Sequence, residues 1–273
     1  VIATNIDVRD GAPTGTLAEA NLIGLLTITR REVVRILRIW SQTLLPSAIT
    51  MTLYFVIFGR MVGSRIGEIA PGITYIDYIV PGLIMMAVIT NSYGNISSSF
   101  FGAKFQRFVE EMLVSPMSSW VILTGYITGA VLRGLIVAII VLAISLFFTH
   151  IHLYHPLVTL TTVLLTAIVF SLAGFVNAVY AKKFDDIALV PTFVLTPLTY
   201  LGGVFYSVSA LGSPWKEISY ANPILYMVNA FRYGLLGISD VNMGVAYTVM
   251  IGFAVALGAI GIYLLNRGVG LRS

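Results

Sequence analysis

Between Met112 and Ala181 the chain carries one charged residue, Arg133. A bilayer core is crossed by about 20 apolar residues, so this run is too long for one helix and reads as two spans. They divide at the His-Pro segment, residues 150–156, giving spans near 118–148 and 157–180. Four further runs free of Asp, Glu, Lys and Arg place spans near 40–59, 78–99, 187–206 and 244–265. Charged residues are 10% of the chain and hydrophobic residues 58%, whereas a soluble domain carries roughly 25% charge. The composition excludes a soluble globular domain and a disordered chain alike. The fold class expected is all-α and integral to the membrane, with six transmembrane helices.

The charges orient the spans. Arg9, Arg30, Arg31, Arg35, Arg38, Lys104, Arg107, Lys182, Lys183, Arg267 and Arg272 fall on one side of the six-span topology. Arg60, Arg65, Lys216 and Arg232 fall on the other, and Arg133 lies inside a span. Cytoplasmic loops are the positive ones, which places both termini in the cytoplasm. The basic pI near 9.3 then reflects topology, with no solvated basic domain for nucleic acid.

Residues 1–16 read as a flexible tail. From residue 17 to 38, Leu22, Ile23, Leu26, Val33, Val34 and Leu37 recur at helical spacing, and Arg30, Arg31, Arg35 and Arg38 form a basic face. This predicts an interfacial helix resting on membrane lipid, with a cytoplasmic partner as the alternative for its other face. No short apolar signal segment with a cleavage site precedes the first span.

The twelve acidic residues avoid every predicted span. Ion-driven carriers commonly relay through buried carboxylates or histidines, so that class is weakened, although carbonyl-only sodium sites keep it open. A polytopic membrane enzyme is the other competitor. The chain lacks HExxH, GxSxG and the phosphate-binding loop, has no cysteine, and collects its three histidines, His150, His152 and His155, in one outer loop. That loop reads as interfacial more readily than as a metal clip.

Arg133 sits about 15 residues into the third span, where a charge costs about 3 kcal/mol on insertion scales. Either it snorkels to an interface, or it lies inside the protein against carbonyls near proline breaks or against Asn177, Tyr200 or Tyr126. The fifth span carries Pro191 and Pro197, then Gly202 and Gly203. Kinks free carbonyls that lipid cannot satisfy, so this helix is expected to face the protein interior. Gly125 and Gly129 form a GxxxG pair, a pattern of low weight by itself. The segment from residue 207 to 244 reads as two short helices re-entering the outer leaflet.

The loop after the second span, FGAKFQRFVEEMLVSPMSSW, carries the most specific signal. Phe105, Phe108, Met112 and Leu113 make an apolar stripe beside Lys104, Arg107, Glu110 and Glu111. The helix should stop before Ser115-Pro116, because a residue ahead of proline disfavours helix. A short charged and apolar helix of this kind suits a groove on a soluble partner.

EEMLVSPMSSWVILTGY, from Glu110 to Tyr126, resembles the coupling segment of ABC-2 type transporter permeases. LGGVFYSVSALGSPWKEISYANPILYMVNAFRYGLLGI, from Leu201 to Ile238, resembles the outer region of the same family. FDDIALVPTFVLTPLTYLGGVFY, RIWSQTL and YIVPGLIMM match it as well, so the likeness covers about residues 30–273. The resemblance implies a membrane subunit of an exporter in the bacterial inner membrane, paired with a second permease copy and two ATPase subunits. ATP and magnesium would bind those partners, leaving this chain no cofactor and no catalytic residue. Lys104–Ser115 would be the main coupling helix, Lys182, Lys183, Asp185 and Asp186 a second contact, and residues 17–38 the connecting helix. The cargo expected is amphipathic, lipid-like, glycan or drug, and is not specified by the residues.

Overall fold

A computed structural model describes residues 17–149, 151 and 153–271. The expectations for the tail, for Arg9 and Arg272, and for His150 and His152 lie outside the described residues.

The six expected spans are all present: Trp40–Ile66, Tyr75–Phe105, Ser119–Ser145, Pro156–Tyr180, Phe184–Leu201 and Met243–Arg267. Helix α1 (Leu17–Arg38) leads into the first span, built from α2 (Trp40–Thr43), α3 (Leu45–Tyr54), a π-helical stretch Phe55–Val62 and α4 (Gly63–Ile66). A small antiparallel hairpin, β1 (Glu68–Ala70) and β2 (Ile73–Thr74), pairs Glu68 with Thr74 and precedes the second span. That span is α5 (Tyr75–Phe105), started by Thr74 and Asp77, whose side chains each bond the other residue's backbone N–H. Then come α6 (Phe108–Val114), α7 (Ser119–Ser145) and α8 (Pro156–Tyr180). The fifth span joins α9 (Phe184–Val190), a π-helical turn Pro191–Leu195 and α10 (Thr196–Leu201). The outer region holds α11 (Trp215–Tyr220) and α12 (Pro223–Leu236), the two short helices expected there, and α13 (Met243–Arg267) is the sixth span.

The third span ends at Ser145, three residues before the limit expected, and helices two and five begin earlier than hydropathy suggests. Asp77, Asp185 and Asp186 therefore stand in first helical turns, where carboxylates satisfy free N–H groups. The acids are thus not absent from the span helices; they sit at their ends.

Helix α5 is the central post. Of its most apolar window 83% is buried, against 11% for the first and fifth spans. It packs on α7, α8 and α12. One apolar cluster gathers around Tyr78, Leu83, Val88, Phe170 and Met227, the other around Ile96, Phe100, Tyr126, Phe175 and Leu264.

The apolar residues read along α1 face away from the bundle, which agrees with a helix resting on lipid: Leu22, Ile23, Leu26, Val34 and Leu37 are exposed. The buried stripe is Gly24, Ile28, Glu32 and Ile36, at a strict four-residue spacing. It lies against α7, where a Cβ on Gly125 would come within 2.8 Å of Ile28 Cγ2, and one on Gly129 would collide with Glu32. The GxxxG pair is the seat of α1. The fifth span, expected to face inward, is largely exposed on this single subunit: Leu189, Phe193, Val194 and Tyr200 lie on its surface. The carbonyl that Pro191 leaves without its helical donor is that of Ile187, and it accepts Asn177 Nδ2 of α8 at 3.2 Å, so the neighbouring helix covers this break.

Gly129→Leu should lift α1 from α7. Trypsin cleavage after Arg30–Arg38 in detergent is expected to accelerate about tenfold through local opening, with helicity by circular dichroism retained. Unchanged cleavage would show that Gly129 does not seat α1.

Candidate coupling face and buried polar seam

The loop after α5 is shorter than expected as a helix. The predicted Lys104–Ser115 helix begins only at Phe108, because Arg107 adopts a left-handed conformation with φ 64°. Lys104 and Phe105 belong to the last turn of α5. Lys104 turns away from any partner surface: its Nζ donates to the carbonyls of Val179 at 2.5 Å and Ala181 at 2.8 Å. An ammonium on those carbonyls offsets the negative end of α8. The stop before Ser115-Pro116 is as expected, with Ser115 Oγ donating to the Met112 carbonyl at 2.7 Å.

On α6, Val109 is buried, Glu110, Met112 and Leu113 are half-buried, and Arg107 and Glu111 are exposed. Phe105 is 63% exposed, Val114 88%, and Phe108 also faces outward. The second loop lies beside them. The Phe184 ring meets Phe101 edge-on at 5.0 Å and Phe105 at 5.3 Å. Asp186 Oδ2 accepts the backbone N–H groups of Lys182 and Lys183 at 2.9 and 3.1 Å, which fixes the entry to α9. Lys182, Lys183 and Asp185 stay exposed. The start of α1 reaches the same end, where Asn21 Oδ1 accepts the Ser118 N–H at 2.9 Å. The result is one face, apolar at its centre and charged at its edges, made from two loops and α1.

Behind this face runs a polar seam. Asn91, Asn95 and Ser99 are buried four residues apart on α5. Ser99 Oγ donates to Glu32 Oε1 at 2.6 Å, and Glu32 is 0% exposed. Arg35 Nη2 bridges Glu32 Oε2 and Asn95 Oδ1, each at 2.8 Å. Arg31 Nη2 donates to the Tyr126 hydroxyl, with its guanidinium 5.1 Å from that ring's centre. Burial disfavours the Arg31 charge, but Tyr126 and Glu32 outweigh it and hold its pKa above the ordinary arginine value.

One turn further along, Arg133 Nη2 donates to Asn91 Oδ1 at 3.0 Å and to the Thr43 carbonyl at 3.2 Å. Asn91 Nδ2 also donates to Ser47 Oγ at 2.9 Å. Arg133 therefore lies in the protein interior and does not snorkel. Its carbonyl partner is beside a proline break, at Pro46, but the named side chains were wrong. Asn177 serves Ile187, Tyr200 bonds Tyr54, and Tyr126 bonds Arg31. Arg30 and Arg38 are exposed on α1.

At the opposite end, Arg232 forms a site that the sequence reading missed. It was counted as an outer-loop charge, yet it is 1% exposed. Its guanidinium stacks 3.9 Å from the Tyr78 ring centre, and Nη2 donates to the Gly203 carbonyl at 2.7 Å. Gly203 has φ 71°, a turn conformation that glycine adopts without strain. Asn229 Oδ1 accepts from Arg232 Nη1 at 3.3 Å and from the Asp240 N–H at 3.0 Å. Asp240 in turn holds Ser207 Oγ at 2.8 Å. Gly202 continues the same turn, its N–H donating to Thr199. Only the helical run Pro223–Leu236 around Arg232 hinted at burial. His155 stacks on Tyr233 at 4.7 Å, and among the described residues no three metal-ligating side chains gather.

Six spans, a short helix between spans two and three, and outer helices before span six define a transport-permease architecture. The family model described as "ABC-2 type transporter" matches residues 24–236, and the chain belongs to that family. It is 56% identical over 251 residues to the inner membrane transport permease YadH of Escherichia coli K12, covering 92% of this chain and 98% of that protein. Nodulation protein J of Rhizobium leguminosarum bv. viciae is 22% identical over 233 residues, covering 84% of this chain and 90% of that protein. Nodulation protein J of Rhizobium meliloti is 20% identical over 249 residues, covering 91% and 95%.

Arg232→Met should destabilise the protein by about 3 kcal/mol, since it strips a buried donor from Gly203 and Asn229. Thermal melting in detergent checks this. Arg232→Lys should rescue little, because an ammonium cannot stack and fork at once. A wild-type midpoint in either variant would contradict the assignment.

Proposed function

We infer that this chain is the membrane subunit of an ATP-driven exporter in the bacterial inner membrane, with both termini cytoplasmic. Two copies pair, and each docks an ABC ATPase that binds ATP and magnesium. The observation that carries the reading is the composite face at one end of the bundle. Exposed Phe105, Phe108 and Val114 stand beside Phe184, with Arg107, Glu111, Lys182, Lys183 and Asp185 at the rim. An apolar centre with charged edges suits a protein groove better than lipid or bulk water. The 11-to-4 excess of basic residues supports placing this face in the cytoplasm.

Lys104 acts within the subunit: it clips α5 to the end of α8, so that a load on α6 is passed to two spans. Glu110 and Leu113, half-buried, and Ser115, at the helix end, set the pitch of α6 on the bundle. The first and fifth spans, with 11% of their windows buried, support a second permease copy as their cover. Where these spans meet, Tyr54, Phe58, Tyr200 and Phe205 cluster with ring centres 4.7 to 5.8 Å apart. Such a cluster favours an amphipathic cargo, lipid-like, glycan-bearing or drug-like. Pro191 and Pro197 interrupt one of the two helices carrying it, and Gly202 and Gly203 end that helix, which suits a moving gate.

The test is Phe108→Asp combined with Glu111→Lys, co-expressed with the cognate ATPase. Co-purification and stimulated ATP hydrolysis should fall at least about tenfold, as for lost hot-spot contacts, with the melting temperature unchanged. Normal stimulation would remove the coupling assignment.

A further inference from the structure

Along α1 lies a groove of about 720 Å³ that meets the coupling face at Phe108. One wall is α1 and Ile39, the other residues 98–106 of α5, and Phe108 closes one end. It runs over residues 27–39, about 18 Å at the helical rise, and ends one residue before Trp40 begins the first span.

The charge in this groove is unbalanced. Arg30, Arg31, Arg35 and Arg38 line it with Glu32, four positive groups against one negative. Glu32 offers nothing to a ligand, since it is fully buried and held by Ser99, Arg35 and Arg31. Arg31 is committed to Tyr126 and Glu32. Arg30 and Arg38 have no ion pair or hydrogen bond among the described residues, and the buried Arg35 Nε has no acceptor. The lining is also apolar in part, through Val34, Ile39, Ala103 and Phe108. Leu37 and Trp40, which flank Arg38 and Ile39 of the lining, are exposed. Unserved guanidinium groups next to apolar surface at the head of a span match one chemistry: a phosphate carried on an alkyl chain.

We propose that this groove binds the phosphate headgroup of an anionic lipid from the cytoplasmic leaflet, with Arg30 and Arg38 as the binding groups. The proposal rests on the cytoplasmic placement of α1 inferred above. It assigns α1 a ligand as well as a mechanical link. Because Glu32 and Arg35 also hold Ser99 and Asn95 of α5, a bound phosphate would report on the seam itself.

The full-length protein, purified in detergent, is titrated with phosphatidylglycerol, phosphatidylcholine or inorganic phosphate. Native mass spectrometry counts bound lipid, and the melting midpoint gives a second readout. Phosphatidylglycerol is expected to bind at least about tenfold tighter than phosphatidylcholine, the scale of two basic groups near an anionic headgroup. Arg30→Gln with Arg38→Gln should erase that preference, while Arg60→Gln with Arg65→Gln, at the other end, should keep it. Inorganic phosphate at equal concentration should neither stabilise the protein nor displace the lipid. Equal binding of the two lipids, or a preference that survives Arg30→Gln with Arg38→Gln, would overturn the proposal. Stabilisation by inorganic phosphate alone would overturn the lipid as its source. Loss of ATPase co-purification in that variant with lipid preference intact would assign the groove to protein docking instead. Stimulated ATP hydrolysis is measured in parallel: if it is absent while the lipid preference holds, the exporter reading fails and the lipid site stands.

Discussion

The placement of α1, the first span and α7 depends on a row of polar side chains buried along α5. Asn91, Asn95 and Ser99 stand one turn apart and take, in order, Arg133 from α7 and Arg35 and Glu32 from α1. None of these groups is stable alone in an apolar interior, where an unpaired charge or amide costs several kcal/mol. Together they serve one another's main donors and acceptors, leaving Asn95 Nδ2 and the Nε groups of Arg35 and Arg133 without an acceptor among the described residues. The seam fixes register, because a helix sliding by one residue would leave charges facing methyl groups. Gly125 and Gly129 let α1 approach closely enough for Glu32 to reach Ser99.

The same post is held at its other end by Arg232, which stacks on Tyr78 and reaches the turn at Gly203. Helix α5 thus joins a charged network at the α6 end of the bundle to a second one at the opposite end across 31 residues, about 46 Å. The first and fifth spans are left outside this frame, and both contain a π-helical segment. On the exporter reading the bundle divides into a stiff part, which receives load through α6 and Lys104, and a compliant part near the second copy. The division follows from where buried polar bonds lie.

Hydropathy made the spans legible, because 20-residue apolar runs have few alternatives. The short helix and its stop at Ser115-Pro116 were legible too, from local stereochemistry. What stayed hidden depended on partners distant in sequence. Leu22 and Leu26 marked the lipid side of α1, whereas its inner face uses Gly24 and Glu32, which no local pattern marks. Arg232 read as a loop charge because nothing local reveals that Tyr78 and Gly203 surround it. Lys104 read as a docking residue for the same reason: the carbonyls it serves belong to α8. Arg107 gave no sign of its left-handed turn, and the side chain that serves the carbonyl freed by Pro191, Asn177, belongs to α8.

The seam can be tested directly because the chain has no cysteine. Cysteines placed at Asn21 and Ser118, where Asn21 Oδ1 accepts the Ser118 N–H at 2.9 Å, stand beside each other between α1 and the start of α7. Their oxidative cross-linking is measured with the seam intact and with Asn95→Leu. The account predicts rapid, near-complete cross-linking in the first and a rate at least about tenfold lower in the second, as α1 loses its anchor on α5. Equal rates would contradict the claim that the polar seam holds α1 in place.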